Sequence, residues 1–296
     1  MLYFSASSTG DFQQLYDFGI REILVSYHYI QKNLSYYDKM LPTFKKEGGI
    51  FMTDSGAFSF MGKYPEGTEE HEKAKHEDFW IPYIESYVKW IRDHKDYIFS
   101  AANLDLDTIV GKRVVDKWNK KYFEPLEKEG IQIVYVAHES DLEPSIIGRL
   151  KDYCRRYQYV GVNQSHKSQA AQIYQLVKHY NRRIHGFAWT ELSLLRHYPF
   201  FSADSVTWLG GVRFGTTYDY DGKNFRTIDY KKKFVRKSRR IKYLRAGSNY
   251  EGVLNEERVP VNQMNLLGWL GFRKEYLKMA NLKLHNKRVI EYERKY

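Results

Sequence analysis

Short segments rich in Val, Ile, Tyr and Phe recur along residues 1–209, and stretches with helical periodicity separate most of them. Strands that alternate with helices predict βαβ units, and eight such strands predict a closed (β/α)8 TIM barrel. The segments lack strict alternation of apolar and polar residues, as expected for strands buried on both faces. The predicted strands are Leu2–Ser5, Ile23–Tyr27, Ile50–Thr53, Tyr97–Ala101, Ile131–Ala137, Tyr157–Val162, Arg183–Ala188 and Phe200–Ala203.

The third predicted unit is long, because about forty residues separate Asp54 from the next strand. It contains the charged segment Glu66–Asp78 and then an apolar helical pattern that begins near Trp80. A long insertion after a barrel strand is typical of a lid or a substrate-contacting segment. Surface decoration is an equal alternative.

The alternation stops after Leu209 and two glycines. This predicts a barrel over residues 1–212 and a basic C-terminal extension over residues 213–296, which packs on the barrel and contacts nucleic acid. Residues 216–229 are rich in Tyr, Asp and Gly and are interpreted as a loop. A later helix is predicted over Asn262–Leu282, from its apolar periodicity.

The formal net charge of +11 is concentrated in that extension. Residues 210–296 hold 21 Lys and Arg against 9 Asp and Glu, whereas residues 1–209 hold 26 against 27. A near-neutral body with a basic end favours a polyanion partner, and a solvated basic face without a partner is the alternative.

The densest basic stretch, residues 231–245, is interleaved with Phe234 and Tyr243. Lys and Arg can neutralise phosphates, and aromatic rings can stack on bases, which predicts salt-dependent nucleic-acid binding. The candidate nucleic-acid-binding residues are Lys231, Lys232, Lys233, Arg236, Lys237, Arg239, Arg240 and Lys242.

Several other classes of protein do not fit the sequence. Cys154 is the single cysteine, which excludes an intrachain disulfide framework and a multi-cysteine zinc site. Dinucleotide-binding, Walker A and HExxH motifs are absent, so we expect no cofactor and no metal. Without a long apolar run or a signal-peptide pattern at Met1, we expect no membrane contact and a cytoplasmic location.

Polar side chains follow the predicted strands from the third onward, at the point where each strand ends. Since the carboxyl ends of barrel strands meet at one rim, we expect these side chains to face a common pocket. Asp54 and Asp204 stand out, because each interrupts an apolar strand and each precedes a Ser. The others are Ser55, Asn103, Asp105, Asp107, His138, Glu139, Asn163, Gln164, Trp189, Thr190, Glu191 and Ser205.

Two carboxylates that face each other across a pocket suit displacement at the C1′ atom of a sugar. One attacks and forms a covalent glycosyl intermediate while the other transfers the proton, at a separation of about 5–5.5 Å in retaining glycosidases. The acid–base Asp needs a pKa above its usual value, whereas the nucleophile needs no special activation. For both residues the structural alternative is a helix N-cap.

The segment DSGAFSF, which begins at Asp54, resembles the DSGGFQ motif of tRNA-guanine transglycosylases. Three further segments match in the same order. YVGVN (Tyr159–Asn163) resembles the strand-six segment, RIHGFAW (Arg183–Trp189) resembles LMGVG of strand seven, and FSADSVTWL (Phe201–Leu209) resembles GVDxFDCV of strand eight. The resemblance covers roughly residues 50–210 and implies a TIM barrel.

The resemblance also implies roles for individual residues. Asp204 corresponds to the nucleophile and Asp54 to the general acid–base residue. Asp105 would recognise the guanine edge, with His138 where the family has Gln, and Phe58 and His185 would wall the flat base. The remaining implied substrate-binding residues are Ser55, Gly161 and Gly186.

The sequence departs from the tRNA enzymes at several positions. It lacks the three cysteines of their zinc site, and Ala57, Ser59, Thr207 and Trp208 replace motif residues. These departures resemble the divergent DNA-guanine transglycosylases of phages and bacterial genomic islands. That branch implies exchange of guanine in DNA for a free 7-deazaguanine base such as preQ0, in the host cytoplasm if phage-encoded, by a monomer without a cofactor.

Three alternatives stay open. The same chemistry could act on tRNA, or the two Asp residues could belong to a retaining glycoside hydrolase. A non-catalytic nucleic-acid-binding barrel is the third. Because C1′ of a stacked nucleotide is inaccessible, the DNA hypothesis requires a flipped or single-stranded guanosine.

Overall fold

The computed structural model describes residues 2–7, 9–139, 145–189, 191–222, 225–229, 233–238, 240–245 and 249–283. Eight strands close into a barrel in chain order, and the pairs from the second to the eighth strand run parallel. The predicted barrel is confirmed, and each strand overlaps one predicted segment. The strands are β1 (Leu2–Ser7), β2 (Glu22–Ser26), β3 (Ile50–Asp54), β4 (Ile98–Ala102), β5 (Ile133–Val136), β6 (Tyr159–Asn163), β7 (Arg183–Phe187) and β8 (Ser202–Ser205).

The strand register brings the ends of neighbouring strands to one rim. Ser26 at the end of β2 pairs with Asp54 at the end of β3, and Gly186 of β7 pairs with Ala203 of β8. The first four residues of β3 are buried and Asp54 is partly exposed. In β3 the apolar residues therefore fill the barrel wall, and the polar residue that follows them reaches the rim.

Helices alternate with the strands up to β8. The predicted helix that begins at Asp107 is divided at Gly111, whose φ is 83°. The helices are α1 (Thr9–Asp17), α2 (Tyr27–Ile30), α3 (Leu34–Lys46), α4 (Ala57–Lys63), α5 (Glu69–Ala74), α6 (Glu77–Asp93), α7 (Asp107–Val110), α8 (Lys112–Trp118), α9 (Glu124–Lys128), α10 (Ile146–Arg156), α11 (Ala170–His179) and α12 (Leu192–His197). A π-helix (Asn119–Phe123) joins α8 to α9, and a 3-10 helix (Gln164–Gln169) precedes α11.

The chain divides into two compact units, Ala6–Asp204 and a second unit that combines Met1–Ser5 with Ser205–Tyr296. In the second unit, helix α17 confirms the helix predicted over Asn262–Leu282. Its elements after β8 are a 3-10 helix (Thr207–Leu209), α13 (Gly210–Phe214), β9 (Thr216–Tyr220), β10 (Phe225–Asp229), α14 (Lys233–Ser238), α15 (Arg240–Arg245), α16 (Tyr250–Leu254) and α17 (Arg258–Lys283).

The interpretation of residues 216–229 as a loop is wrong, because β9 and β10 form an antiparallel pair. Thr217 and Asp219 are buried while their neighbours in β9 are partly exposed, which is the alternation of a strand with one covered face. Gly222 follows β9 with φ of 92°, so the Asp-Gly pair at 221–222 lies between the two strands. That pair is a hairpin signal that the Tyr-rich composition obscured.

Asn265 of α17 fixes the hairpin within the second unit. Its side-chain amide donates to the carbonyl oxygen of Trp208 at 2.9 Å and accepts from the amide of Tyr218 at 2.8 Å. Asn265 is fully buried. A buried polar residue on an apolar helical face thus bonds to two backbone groups, one on each side of helix α13 in the sequence.

In the part of the chain that the structure describes, no helix is both long enough and apolar enough to cross a membrane.

Candidate active site

Asp54 ends β3 and enters a tight turn before α4. The Gly56 amide donates to Asp54 Oδ1 at 2.7 Å, and Gly56 adopts a left-handed conformation with φ of 84°. A Cβ atom at Gly56 would lie 2.6 Å from His28 Cβ and 2.8 Å from Ser26 Oγ. Glycine is therefore required at this position for both conformational and steric reasons. The helix N-cap alternative for Asp54 is wrong, because Gly56 is the N-cap residue of α4 and the helix has no side-chain cap.

Burial raises the pKa of Asp54 to about 6. Hydrogen bonds from the Ser26 hydroxyl and the Gly56 amide oppose this shift, while the negative charges of Asp204 and Asp105 add to it. The charges of two other rim carboxylates thus act on Asp54. Because the pKa of Asp54 lies near neutral pH, this group can both hold and release a proton under ordinary conditions.

Asp105 is held from two directions. The Ser55 hydroxyl donates to Asp105 Oδ1 at 3.3 Å, and His138 Nε2 lies 2.6 Å from Asp105 Oδ2. Burial alone would lower the pKa of His138, but the hydrogen bond and charge of Asp105 together with the charge of Asp107 raise it overall. The structure therefore brings three predicted site residues, from β3, β4 and β5, into one hydrogen-bonded group.

Tyr83 of α6 contacts this group from the long insertion. Its hydroxyl donates to the Ser55 carbonyl oxygen at 2.5 Å. Burial, aided by the charge of Asp54, raises the pKa of Tyr83, so the phenol remains a donor. The insertion after β3 therefore supports the turn that carries Asp54.

Asp204 lies on β8 and is held by groups from β7 and the residue after it. Asp204 Oδ1 accepts from the Ala188 amide at 3.1 Å and lies 3.1 Å from His185 Nε2. The next helix is the 3-10 segment Thr207–Leu209, whose N-cap is Val206 and which has no side-chain cap. The helix-cap alternative for Asp204 is therefore wrong, because β8 continues through Ser205 before any helix begins.

His185 does not occupy the place expected from the resemblance. Its side chain is fully buried, with Nδ1 2.6 Å from Ser202 Oγ and Nε2 on Asp204. Because both ring nitrogens are engaged within the barrel, the buried ring supports Asp204 and is not an open wall for a base.

The two predicted glycines lie in tightly packed positions. A Cβ atom at Gly161 would lie 2.6 Å from the Phe187 ring, and one at Gly186 would lie 3.0 Å from the Phe200 ring. Packing therefore explains both glycines, and contact of their backbone with a base stays a prediction. Phe58, by contrast, is 84% exposed on the first turn of α4, where a flat ligand could stack on its ring.

Behind His138 lies a buried ion pair that joins α7 to α10. Arg149 Nη2 lies 3.1 Å from Asp107 Oδ1, and both side chains are fully buried. Burial raises the pKa of Asp107 to about 6, although the nearby charges of His138 and Arg149 oppose the shift. Arg149 also contacts Asp116 at 3.2 Å and the Tyr153 hydroxyl at 2.5 Å.

Part of the basic stretch lies in the described residues. Lys233, Arg236 and Lys237 belong to α14, and Arg240 and Lys242 belong to α15. Lys231, Lys232 and Arg239 lie outside the described residues.

Exposed groups mark both helices. Phe234 is 81% exposed, and Lys237 and Arg240 are exposed as well. The Arg240 guanidinium lies 5.6 Å from the centroid of the Tyr250 ring. Exposed cations and an exposed aromatic ring thus share one short segment, and its contact with nucleic acid stays a prediction.

Sequence inspection missed several residues of the site. Ser26 follows the rule of polar residues at strand ends, which was applied only from the third strand onward. Tyr83 and Arg149 lie on helices whose apolar periodicity gave no sign of a polar role. Tyr159 and Ser202 lie inside strands, and only the closed barrel shows that they meet.

Among the residues that the structure describes, no cluster of His, Cys, Asp and Glu side chains has the arrangement of a metal site. A surface cleft of about 560 Å³ lies elsewhere, on α8 and the π-helix. It is lined by Arg113, Asp116, Lys117, Lys120 and Lys121.

Comparison with known proteins gives little information on family. No protein-family model and no curated protein sequence matches the chain. Among solved structures, the chain is similar to the catalytic domain of beta-amylase from Paenibacillus polymyxa, with a TM-score of 0.42 and 8% identity. That match covers 70% of this chain and 93% of the other.

Proposed function

We propose that the protein is a base-exchange transglycosylase that replaces guanine in DNA with a 7-deazaguanine through a covalent intermediate on Asp204. The observation that carries the proposal is the contrast between two rim carboxylates. Asp54 has a pKa raised to about 6, whereas Asp204 is held by an amide and an imidazole. Paired carboxylates in different environments are how one site divides nucleophile from acid–base residue.

In the first half-reaction, Asp204 attacks C1′ of the target deoxyguanosine. A C1′–O bond forms, the C1′–N9 bond breaks, and its electron pair leaves with guanine. Asp54 donates a proton to the departing base, so that guanine leaves neutral. The product is a deoxyribosyl ester on Asp204, and Asp54 is now a carboxylate.

The second half-reaction is the reverse with a different base. Asp54 takes the N9 proton of the incoming 7-deazaguanine, whose nitrogen attacks C1′. The ester bond breaks and its electron pair returns to the carboxylate of Asp204. One glycosidic bond replaces another, so the exchange requires no external energy source. A pKa near neutrality suits a group that must donate in one step and accept in the next.

Recognition of the base is assigned to the group around Asp105. The Asp105 carboxylate can accept from N–H groups on the edge of a guanine, and His138 can donate to its carbonyl oxygen. The exposed Phe58 ring offers a flat surface for stacking. The basic helices α14 and α15 would bind the phosphates of the strand.

The test is an exchange assay with purified protein, DNA containing labelled guanine, and an excess of preQ0. We expect release of guanine, an equal gain of the deazapurine in DNA, and a protein–DNA adduct in the denatured sample. Duplex and single-stranded DNA are compared, since a flipped nucleotide forms more readily from a single strand.

Each alternative has its own outcome in this assay. Exchange in tRNA but not in DNA would indicate the tRNA enzyme. Release of guanine at the same rate without any incoming base would indicate a hydrolase that uses water. Binding of DNA without release would indicate a non-catalytic barrel, and in that case Asp204→Asn would change nothing.

A further inference from the structure

A chain of buried hydrogen bonds runs through the barrel to Asp204. Three successive strands supply its members, namely Tyr159 of β6, His185 of β7, and Ser202 and Asp204 of β8. The Tyr159 hydroxyl contacts Ser202 Oγ, which lies 2.6 Å from His185 Nδ1, and His185 Nε2 lies 3.1 Å from Asp204 Oδ1. Ser202 and His185 are 0% exposed and Tyr159 is 2% exposed.

The direction of each hydrogen bond in this chain follows from Tyr159, the member farthest along the chain from Asp204. Burial raises the pKa of Tyr159, so its hydroxyl keeps its proton. Among the described residues, the hydrogen-bond partner of the Tyr159 hydroxyl is Ser202 Oγ. A buried hydroxyl hydrogen without an acceptor is costly, so Tyr159 donates to Ser202.

The remaining bonds then follow in order. With its oxygen accepting from Tyr159, Ser202 must direct its own hydrogen to the other neighbour, His185 Nδ1. A ring nitrogen that accepts carries no hydrogen, so in a neutral imidazole the proton is on Nε2. His185 therefore donates to Asp204 Oδ1, and every donor in the chain points toward the carboxylate.

We propose that Tyr159, Ser202 and His185 form a positioning relay that fixes the tautomer of His185 and stabilises Asp204 when it leaves the sugar. The role of the relay in the reaction rests on the proposed function, whereas the positions of its protons do not. Since Oδ1 receives both the imidazole and the Ala188 amide, Oδ2 is the oxygen that attacks C1′.

The relay acts most strongly in the second half-reaction. When the ester breaks, negative charge returns to Asp204, and a donor already aimed at Oδ1 stabilises that charge without reorganisation. The His185 N–H bond is weaker in the neutral ester and stronger in the free carboxylate. Loss of the donor should therefore lengthen the life of the adduct.

To measure the adduct lifetime, the protein–DNA ester is allowed to accumulate, excess preQ0 is added, and the decay of the ester is followed. We expect His185→Phe to slow decay on the order of 10²-fold, the usual effect of losing one such donor. Ser202→Ala should slow it by about tenfold, because the imidazole can then adopt the other tautomer. Tyr159→Phe should slow it by a few-fold, since Ser202 can still donate to His185.

A purely structural network would give a different pattern. It would lower adduct formation in proportion to lost stability, and the lifetime of the adduct would not change. Equal lifetimes for wild type and His185→Phe, or a larger effect for Tyr159→Phe than for Ser202→Ala, would overturn the relay. Thermal unfolding of each variant separates loss of fold from loss of function.

The proton arrangement is tested apart from the reaction by ¹⁵N NMR of labelled histidine. We expect His185 to carry its proton on Nε2 in the wild type and to lose that preference in Ser202→Ala. A proton on Nδ1, or on both nitrogens, contradicts the relay even if base exchange occurs. If base exchange fails while the Nε2 tautomer is seen, the proposed function is wrong and the arrangement stands.

Discussion

Asp54 and Asp204 are the same side chain at the ends of two strands of one barrel, but their surroundings differ. Asp54 belongs to a side rich in acids, where burial and the charges of Asp105 and Asp204 raise its pKa to about 6. Asp204 belongs to a side rich in donors, where the Ala188 amide and His185 converge on one oxygen. Neighbours, more than residue type, therefore make the two carboxyl groups differ.

The difference has a structural origin. On the Asp54 side, the strands β3 and β4 end in turns that carry further carboxylates, and an arginine behind them supplies the balancing charge. On the Asp204 side, the strands β6 to β8 contribute a hydroxyl, a second hydroxyl and an imidazole to one hydrogen-bonded line. The first arrangement favours a carboxyl that keeps its proton, and the second favours a carboxylate of fixed orientation.

The largest expected effect is that of Asp204→Asn, which removes the proposed nucleophile. Adduct formation should fall by roughly 10⁴-fold or more, as for the loss of a nucleophile elsewhere. It should fall equally for guanine and for 7-methylguanine, whose positive charge makes it a good leaving group without a proton. Intact-mass analysis of the trapped protein measures the adduct, and a normal yield from Asp204→Asn would remove this residue from the role.

Asp54→Asn should distinguish the proposed role of Asp54 from that of Asp204 most clearly. With guanine as the leaving base, adduct formation should fall by about 10²- to 10⁴-fold, the range of general acid catalysis. With 7-methylguanine it should stay near the wild-type rate, because no proton is needed. The wild-type rate with guanine should decline above about pH 6, where Asp54 loses its proton, and this decline should be absent from the variant. An equal loss in the rate of adduct formation with both leaving bases would show that Asp54 does not donate the proton.

Arg149→Met tests the charge balance behind the Asp54 side. It leaves the carboxylate of Asp107 buried without its ion-pair partner, and we expect a loss of about 3–5 kcal/mol in the free energy of unfolding. Urea denaturation at pH 8 measures the loss, which should be smaller at pH 5, where Asp107 can take up a proton. Arg156→Met is the matched control.

Arg156 contacts the same Asp116, at 3.4 Å, but its side chain is 28% exposed. Since exposed pairs contribute little, this control should lose less than about 1 kcal/mol. Equal losses for the two arginines would mean that burial of the Asp107 pair does not matter.

The raised pKa of Asp54 also predicts a pH-dependent stability. The folded protein holds this proton more tightly than the unfolded chain does, so the contribution is present at low pH and is lost as pH rises through about 6. Relative to wild type, Asp54→Asn should gain up to about 3 kcal/mol between pH 4 and pH 8. Denaturation across that range measures the gain.

The smallest expected effect concerns the basic helices α14 and α15. Lys237→Gln with Arg240→Gln should reduce the slope of log affinity for DNA against log salt by about 2. Lys39→Gln with Lys46→Gln, on exposed positions of α3, is the matched control and should leave the slope unchanged. Asp54→Asn and Asp204→Asn should also keep the wild-type slope. An unaltered slope in the first pair would show that these two cations do not bind phosphates.

The barrel could be predicted from the sequence because its signals are local. Apolar segments of strand length, separated by helical periodicity, specify βαβ units without reference to distant residues, and each of the eight strands overlaps a predicted segment. The Asp54 turn was equally accessible, since Gly56 lies within the same short motif. The hairpin of β9 and β10 was missed because one Asp-Gly pair was weighed less than the Tyr-rich composition around it.

The sequence by itself determined which residues reach the rim, because the strand ends and the polar residues that follow them can be located along the chain. Only the tertiary structure decided what each carboxylate has beside it. Asp105 is 51 positions from Asp54 in the sequence, and Tyr159 is 45 from Asp204, yet closure of the barrel makes them members of one site. Burial and hydrogen bonding act across such distances, so the division between a proton-holding Asp54 and a donor-held Asp204 exists only in the folded protein.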